Sequence, residues 1–303
     1  MADEVVTRIP TELDGQRADK AISVILGVSR SVARTLVDGG ATLDGVPMKA
    51  ADRVSAGAVL KTLSPPSSDE LEPQPIEFDV LYEDEHLAVI DKPAGLVVHP
   101  GAGTGSDTLA AGLLYQYPDI HGVGDSGRWG IVHRLDRDTS GAMIVARSAD
   151  AYTSLKAMIE RREVERVYDS LVDGEFSAPT GTIDAPIARD LDRPRRRAVM
   201  AEGKRAVTHY QVIRTFTNEN CSLVAAKLET GRTHQIRVHF AAIGHPVIGD
   251  KTYGKKTTRA QSPRQFLHAR TIGFRHPVTG EAMNLEAPLP ADLQAVIAKL
   301  SSG

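Results

Sequence analysis

The run SPPSSDELEPQP, residues 64–75, constrains the fold of this chain more than any other stretch. It is rich in proline, serine and acid and has no apolar period, so no helix or strand with a buried face can cross it. Two bodies are therefore expected, residues 1–64 and 76–303, joined by a linker over 65–75. At 303 residues the chain is long enough for one body to bury a substantial core. The single cysteine, Cys221, excludes an internal disulfide and a cysteine-rich zinc site. No basic-then-apolar leader and no apolar run of membrane-spanning length is present, so a soluble cytoplasmic protein without a membrane partner is expected.

In the first body, residues 16–26 place Ala18, Ala21, Ile22, Ile25 and Leu26 on one helical face. VSRSVARTLVDGG supplies a second helix, with Ser29 as N-cap, Ala33, Leu36 and Val37 as its apolar stripe and Gly39-Gly40 as its stop. Arg30 and Arg34, four apart, share an exposed face. ATLDGVPM then reads as a hairpin turning at Asp44-Gly45. This order, carried by SRSVARTLVDGG and the following DG, resembles the alpha-L RNA-binding module first seen in a small-subunit ribosomal protein. The resemblance implies a small α+β module whose second helix and hairpin present basic groups, Arg30 and Arg34 among them, to RNA. Residues 1–64 carry eight basic and eight acidic side chains, so any such face is local.

The second body shows strand-like runs at 87–90, 96–98, 131–132, 142–146, 164–172, 210–216 and 222–228. SLKAMIERR at 154–162 is its clearest helix. Many strands, few helices and no regular alternation point to α+β rather than a doubly wound parallel sheet. Charge is distributed unevenly. Residues 69–85 hold eight acids and no Lys or Arg, residues 189–205 hold seven cations against three acids, and residues 250–275 hold seven cations against one Asp. Two basic blocks, one containing Arg195, Arg196 and Arg197 and the other Lys251, fit either a solvated surface or a local anionic partner.

Three stretches could carry chemistry. GAGTGSDTL at 101–109 spaces its glycines as GxGxG and is followed by no Walker lysine, which favours a loop over a nucleotide site. In LETGRTHQIRVHFAAIGHPVIGD, 228–250, a helix is expected over 236–243. Its His234 and His239 are five apart, wrong for metal ligands on one helical face. Its arginines suit an anion or a paired carboxylate instead. HRLDRDTSG, 133–141, packs both signs of charge between apolar runs. It reads as a surface turn of ion pairs, as a glycosidase pair of Asp136 and Asp138, or as a lone reactive Asp held by Arg. Carboxylates at i and i+2 on one loop rarely straddle a sugar ring.

HRLDRDTSG resembles the signature of the RluA/RluD group of RNA pseudouridine synthases. Six more segments agree in the family's order: YEDEHLAVIDKPAGLVVHP, VERVYDSLVDG, IDAPIARD, GKRAVTHY, ETGRTHQIRVHFAAIGHPVIGDKTYG and FLHARTIGFRHPVTGE. The resemblance implies a mixed, mainly antiparallel sheet with flanking helices and a central RNA-binding cleft. It implies isomerisation of uridine to pseudouridine in RNA, most nearly large-subunit rRNA or an assembling subunit, by a monomer without cofactor or metal. Asp136 matches the catalytic Asp, Arg237 the arginine that pairs with it, and Tyr168 the active-site tyrosine, whose hydroxyl could help move the carbon-5 proton. Leu267 matches an apolar pocket residue. Arg134, with His133 beside it, matches a position near the displaced nucleotide, where a guanidinium can fill the vacated stack; a plain ion pair of Arg134 with Asp138 is the alternative. The two basic blocks would contact phosphates. A rival reading is a non-catalytic RNA-binding or ribosome-assembly factor on the same fold.

Overall fold

The computed structural model describes residues 4–28, 30–64, 71–100, 107–190, 192–193, 196–255 and 257–302. Ser29, Arg195 and residues 101–106 of the glycine-rich loop lie outside them. The chain divides into two compact units, Met1–Leu71 and Glu72–Gly303.

In the first unit, β1 (Glu4–Arg8) is followed by α1 (Ala18–Ile25), α2 (Arg30–Asp38), β2 (Thr42–Leu43), β3 (Val46–Pro47) and β4 (Val59–Leu63). The strands form an antiparallel sheet in the order β1-β4-β2-β3. Asp44 and Gly45 both take positive φ, 49° and 80°, as a tight two-residue hairpin turn requires. Ile22, Ala33, Leu36, Val37 and Leu60 are buried together as the core, so the expected stripes of both helices face one another and the sheet.

The second unit contains β5 (Asp79–Glu83), β6 (Leu87–Lys92), α3 (Leu109–Gln116), β7 (Ser140–Ala146), α4 (Ala149–Glu160) and β8 (Glu165–Asp173). It continues with β9 (Thr180–Asp184), β10 (Ile187–Arg189), β11 (Arg197–Val199), β12 (Val207–Phe216) and β13 (Cys221–Leu228). It ends with α5 (Gln235–Ala242), β14 (Leu267–Arg275), β15 (Ala282–Glu286) and α6 (Ala291–Ser301). The main sheet runs β5-β6-β7-β14-β8-β13-β12-β9, with β15 also pairing β14. Its pairings are antiparallel except for a short parallel junction, Ser140 and Gly141 of β7 against His268 and Ala269 of β14. The fold is thus α+β with a mainly antiparallel sheet. Among the described residues no helix is long and apolar enough to cross a membrane.

Local chemistry explains the main elements. Every residue of β7 is buried, which accounts for its unbroken apolar sequence. Gly141 sits at φ 117°, and a Cβ there would stand 2.3 Å from the Ala269 carbonyl oxygen. The last residue of HRLDRDTSG is therefore glycine because β7 and β14 approach too closely for anything else. Helix α4 begins at Ala149, earlier than its apolar pattern predicts, because the Ser148 hydroxyl accepts the Ala151 N–H and caps it. Helix α6 lays Leu293, Val296 and Leu300 against Leu171, Phe216 and Phe266. The strands expected at 96–98 and 131–132 are single bridges, Val97 to Thr108 and Ile131 to Val145. Val98 and Ile131 are buried, which accounts for their apolar character, and neither belongs to a strand.

Candidate active site

The loop 133–141 is fastened along its length. Lys92, fully buried on β6, donates to the carbonyls of Pro93, Leu96 and Arg137 at 2.6, 2.8 and 3.1 Å. Burial pushes its pKa down to about 7. Three acceptors around one nitrogen nonetheless call for all three ammonium protons. Arg264 donates to the Asp138 carbonyl and the Ser140 hydroxyl, and Gln265 to the Thr139 hydroxyl. His133 accepts the Ile144 N–H on Nε2 at 2.9 Å. That bond leaves the ring proton on Nδ1, and burial pushes the pKa down to about 3, so the ring is neutral. His133 is placed as an anchor of this loop on β7. Arg134 is exposed, and no ion pair joins it to Asp138. The side chain this scaffold presents is Asp136, 18% exposed in a cavity of about 430 Å³.

A second fastened segment meets Asp136 from a distance of 101 residues in sequence. Gln235, at the start of α5, donates to the Val207 carbonyl and the Thr208 hydroxyl and accepts from the Thr230 hydroxyl and the Arg232 N–H. His239, one turn on, bonds Thr208 and the Ala185 carbonyl through its two ring nitrogens. Both tie α5 to β12 and its surroundings, and they fix Arg237 between them. Arg237 is itself buried and makes a two-pronged pair with Asp250, Nε to Oδ2 at 2.7 Å and Nη2 to Oδ1 at 3.0 Å. Its remaining Nη1 donates to Asp136 Oδ2 at 2.8 Å.

Burial alone would raise the Asp250 carboxyl. Arg237 and the backbone N–H groups of Tyr253 and Thr252 outweigh it and hold the group below the usual carboxylate range. Burial likewise works against the Arg237 charge, and the two carboxylates more than reverse it.

Tyr168 on β8 and Leu267 at the start of β14 line the same cavity, both nearly buried. Burial raises the Tyr168 hydroxyl above its ordinary pKa, Arg166 opposes this and Asp136 adds to it, so the phenol stays protonated. His234 caps α5 in the left-handed region, φ 58°. Its Nδ1 lies 2.9 Å from the Tyr253 hydroxyl and its Nε2 3.9 Å from Asp136 Oδ1. The Tyr253 hydroxyl accepts the Arg197 N–H and shares a hydrogen bond with His234, and the guanidinium groups of Arg196 and Arg237 both lie against its ring.

The structure thus brings together Asp136, Tyr168, Arg237, Leu267, His133 and Arg134 around one cavity. It places Arg30 and Arg34 in the other unit, where they and Arg17 converge on Asp19. Lys251 is exposed, and Arg196 and Arg197 sit on or beside β11. In the block 250–275, Lys255, Arg264 and Arg270 are paired with Asp173, Asp292 and Asp169, so part of that block is internal structure. Asp250, Tyr253 and Arg166 complete the site and were not anticipated; His234, weighed in the sequence as a metal ligand, stands instead beside Asp136. The one available signal for Asp250 was its place in the same segment as Arg237.

Known proteins match this chain over most of its length. The RNA pseudouridylate synthase family pattern covers residues 86–242, including both Asp136 and Arg237. The ribosomal large subunit pseudouridine synthase D of Pseudomonas aeruginosa is 45% identical over 299 residues, 94% of this chain and 92% of that protein. Its namesake from Zymomonas mobilis is 39% identical over 315 residues, 99% of this chain and 98% of that protein. Among solved structures, human RNA pseudouridylate synthase domain containing 1 superposes with a TM-score of 0.57 at 26% identity, covering 75% of this chain and 96% of that one. A shared pattern across the cavity, near full-length identity and a common fold agree: the chain belongs to the family of RNA pseudouridine synthases.

Proposed function

We propose that this enzyme isomerises uridine in large-subunit ribosomal RNA, as the names of its relatives state for them, and that Asp136 is its reacting carboxylate. The observation that carries the reading is the chain Asp250–Arg237–Asp136. A fully buried carboxylate fixes an arginine, and the arginine holds a second carboxylate at the cavity floor. Isomerisation breaks the bond between ribose carbon 1 and uracil nitrogen 1 and forms one to carbon 5; carbon 5 gives up its proton and nitrogen 1 takes one up. Nothing is oxidised or reduced. Tyr168 supplies a ring against the uracil. Burial keeps it a protonated phenol, which does not take up a further proton, and Asp136 receives the one from carbon 5. Leu267 closes the apolar side of the cavity, Arg134 fills the space the uridine leaves, and His133 holds the loop rather than the base. The residue 1–71 unit adds phosphate contacts through Arg30 and Arg34, and the protein acts as a cytoplasmic monomer. Mapping pseudouridine in large-subunit rRNA from cells with and without the protein tests the reading. Loss of one or more sites is expected, and an unchanged map overturns large-subunit rRNA as the substrate.

A further inference from the structure

Arg166 lies on β8 two residues before Tyr168, so both side chains leave the same face of the strand and both line the cavity of Asp136. It is 7% exposed, and its buried Nε has no hydrogen-bond partner. Among the described residues no carboxylate pairs with it. The other arginines of the cavity wall are accounted for differently. Arg237 holds two carboxylates, Arg162 pairs with Glu229, Arg232 donates to the Arg205 carbonyl, and Arg134 is in water. The Arg166 guanidinium packs directly on Gly231, where a Cβ would stand 2.8 Å from Nη1.

An unpaired buried charge is costly, and a guanidinium cannot escape by losing its proton as the neighbouring His133 does. The Nη groups of Arg166 make no ion pair with a described residue and open on the cavity, where an anion brought by the substrate can meet them. RNA brings one class of anion, the phosphodiester. The uracil ring is neutral when it binds. We propose that Arg166 is the binding site for a phosphodiester beside the target uridine, gripped by the planar guanidinium fork over Gly231. The proposal rests on the RNA-modifying reading above and adds the anchor that positions the ribose over Asp136.

The test measures affinity for a transcript of the rRNA region whose modification depends on the protein, across a series of salt concentrations. Parallel RNAs carry a neutral methylphosphonate at the phosphate 5′ or 3′ of the target. Arg166→Met is expected to weaken binding about tenfold or more and to lower the salt slope by about one. It should not lower the melting temperature of the free protein, because a buried Nε without a partner is gone and no carboxylate loses its mate; an arginine with a purely structural role would lower it. One of the two methylphosphonates should weaken the unaltered protein by a similar factor and leave the Arg166→Met protein unaffected. Arg166→Lys should recover part of the affinity. Gly231→Ala only displaces the guanidinium. It should reproduce the methylphosphonate insensitivity, and it carries the test should Arg166→Met fail to fold. Equal methylphosphonate sensitivity in both proteins overturns the proposal. So does lost turnover with unchanged affinity and salt slope, which would assign the guanidinium to the uracil. An unchanged pseudouridine map is a separate result: it sinks the functional reading and removes the proposed ligand with it.

Discussion

Both units are organised around an arginine–carboxylate cluster, and the two clusters have opposite proportions. In the first unit one buried carboxylate, Asp19 at 2% exposure, is shared by Arg17, Arg30 and Arg34 at 40, 56 and 59% exposure. Arg17 and then Arg30 hold Asp19 well below the usual carboxylate range despite burial. In the second unit one buried arginine, Arg237 at 7%, is shared by Asp250 at 0% and Asp136 at 18%. The first arrangement leaves two positive charges over, spread on a surface where phosphates can meet them. The second leaves one negative charge over, and it resides on the carboxylate that faces the cavity. The same ion pair, counted differently, leaves surplus positive charge in one place and surplus negative charge in the other, and on that difference rest the binding face and the reacting group proposed above.

The largest expected effect comes from removing the surplus charge of the second cluster. Asp136→Asn keeps the shape and one acceptor for Arg237. Pseudouridine formation should fall by roughly four orders of magnitude with RNA affinity unchanged, as read by single-turnover assay and binding titration. Residual turnover near the unaltered rate would break the assignment.

Next comes the buried end of the cluster. Asp250→Ala leaves Arg237 with a single partner, and about 3–5 kcal/mol of stability is expected to go with it, measured by urea unfolding. Because Asp250 is held below the usual carboxylate range when folded, its contribution is complete at neutral pH. That contribution is lost as pH falls through the depressed folded value.

His133 gives a smaller effect with a different pH window. Its folded pKa of about 3 lies below the usual imidazole value near 6.5, so the unfolded chain takes up a proton first as pH falls. Stability should decline between those two values by at most about 1.4 kcal/mol per pH unit. His133→Gln should remove that slope; an equally steep acid decline in the variant would show that other groups cause it.

The smallest effect is expected in the first cluster. Arg30→Ala with Arg34→Ala should lower the salt dependence of RNA binding by about two and leave turnover of bound RNA unchanged. An unchanged salt slope would mean that the surplus positive charge of that cluster does not meet RNA.

How far the sequence disclosed this arrangement depends on whether a residue's work is local. Asp136 and Arg237 stood out because their motifs crowd polar groups between apolar runs, and the family resemblance paired them. Asp250 did not, since a Gly-Asp step after an apolar run reads as a turn. Only the folded chain shows its carboxylate under Arg237. Arg166 carried no signal of its own within VERVY, and only the folded chain shows its guanidinium against the distant Gly231. The first unit was legible nearly whole, helices and hairpin alike, though β1 and β4 were not recognised. β14 was hidden for a related reason. His268 is fully buried in it, satisfied by the Ser140 hydroxyl and the Ala287 carbonyl, and a histidine in a core position breaks the alternation that marks a strand. The 96–98 and 131–132 runs misled in the other direction, since burial beside a single bridge leaves the same apolar trace as a strand.

The parallel junction of β7 with β14 has a consequence in time as well as in space. It joins Ser140 to His268 across 128 residues, and the Arg237–Asp136 pair spans 101. Contacts of such separation carry the largest loop-closure cost and are slow to form. No fragment ending before α5 can hold the carboxylate in place. Recovery of turnover during refolding should therefore trail the recovery of helix signal, and the first catalytic event of a newly made chain marks the moment its sheet is complete.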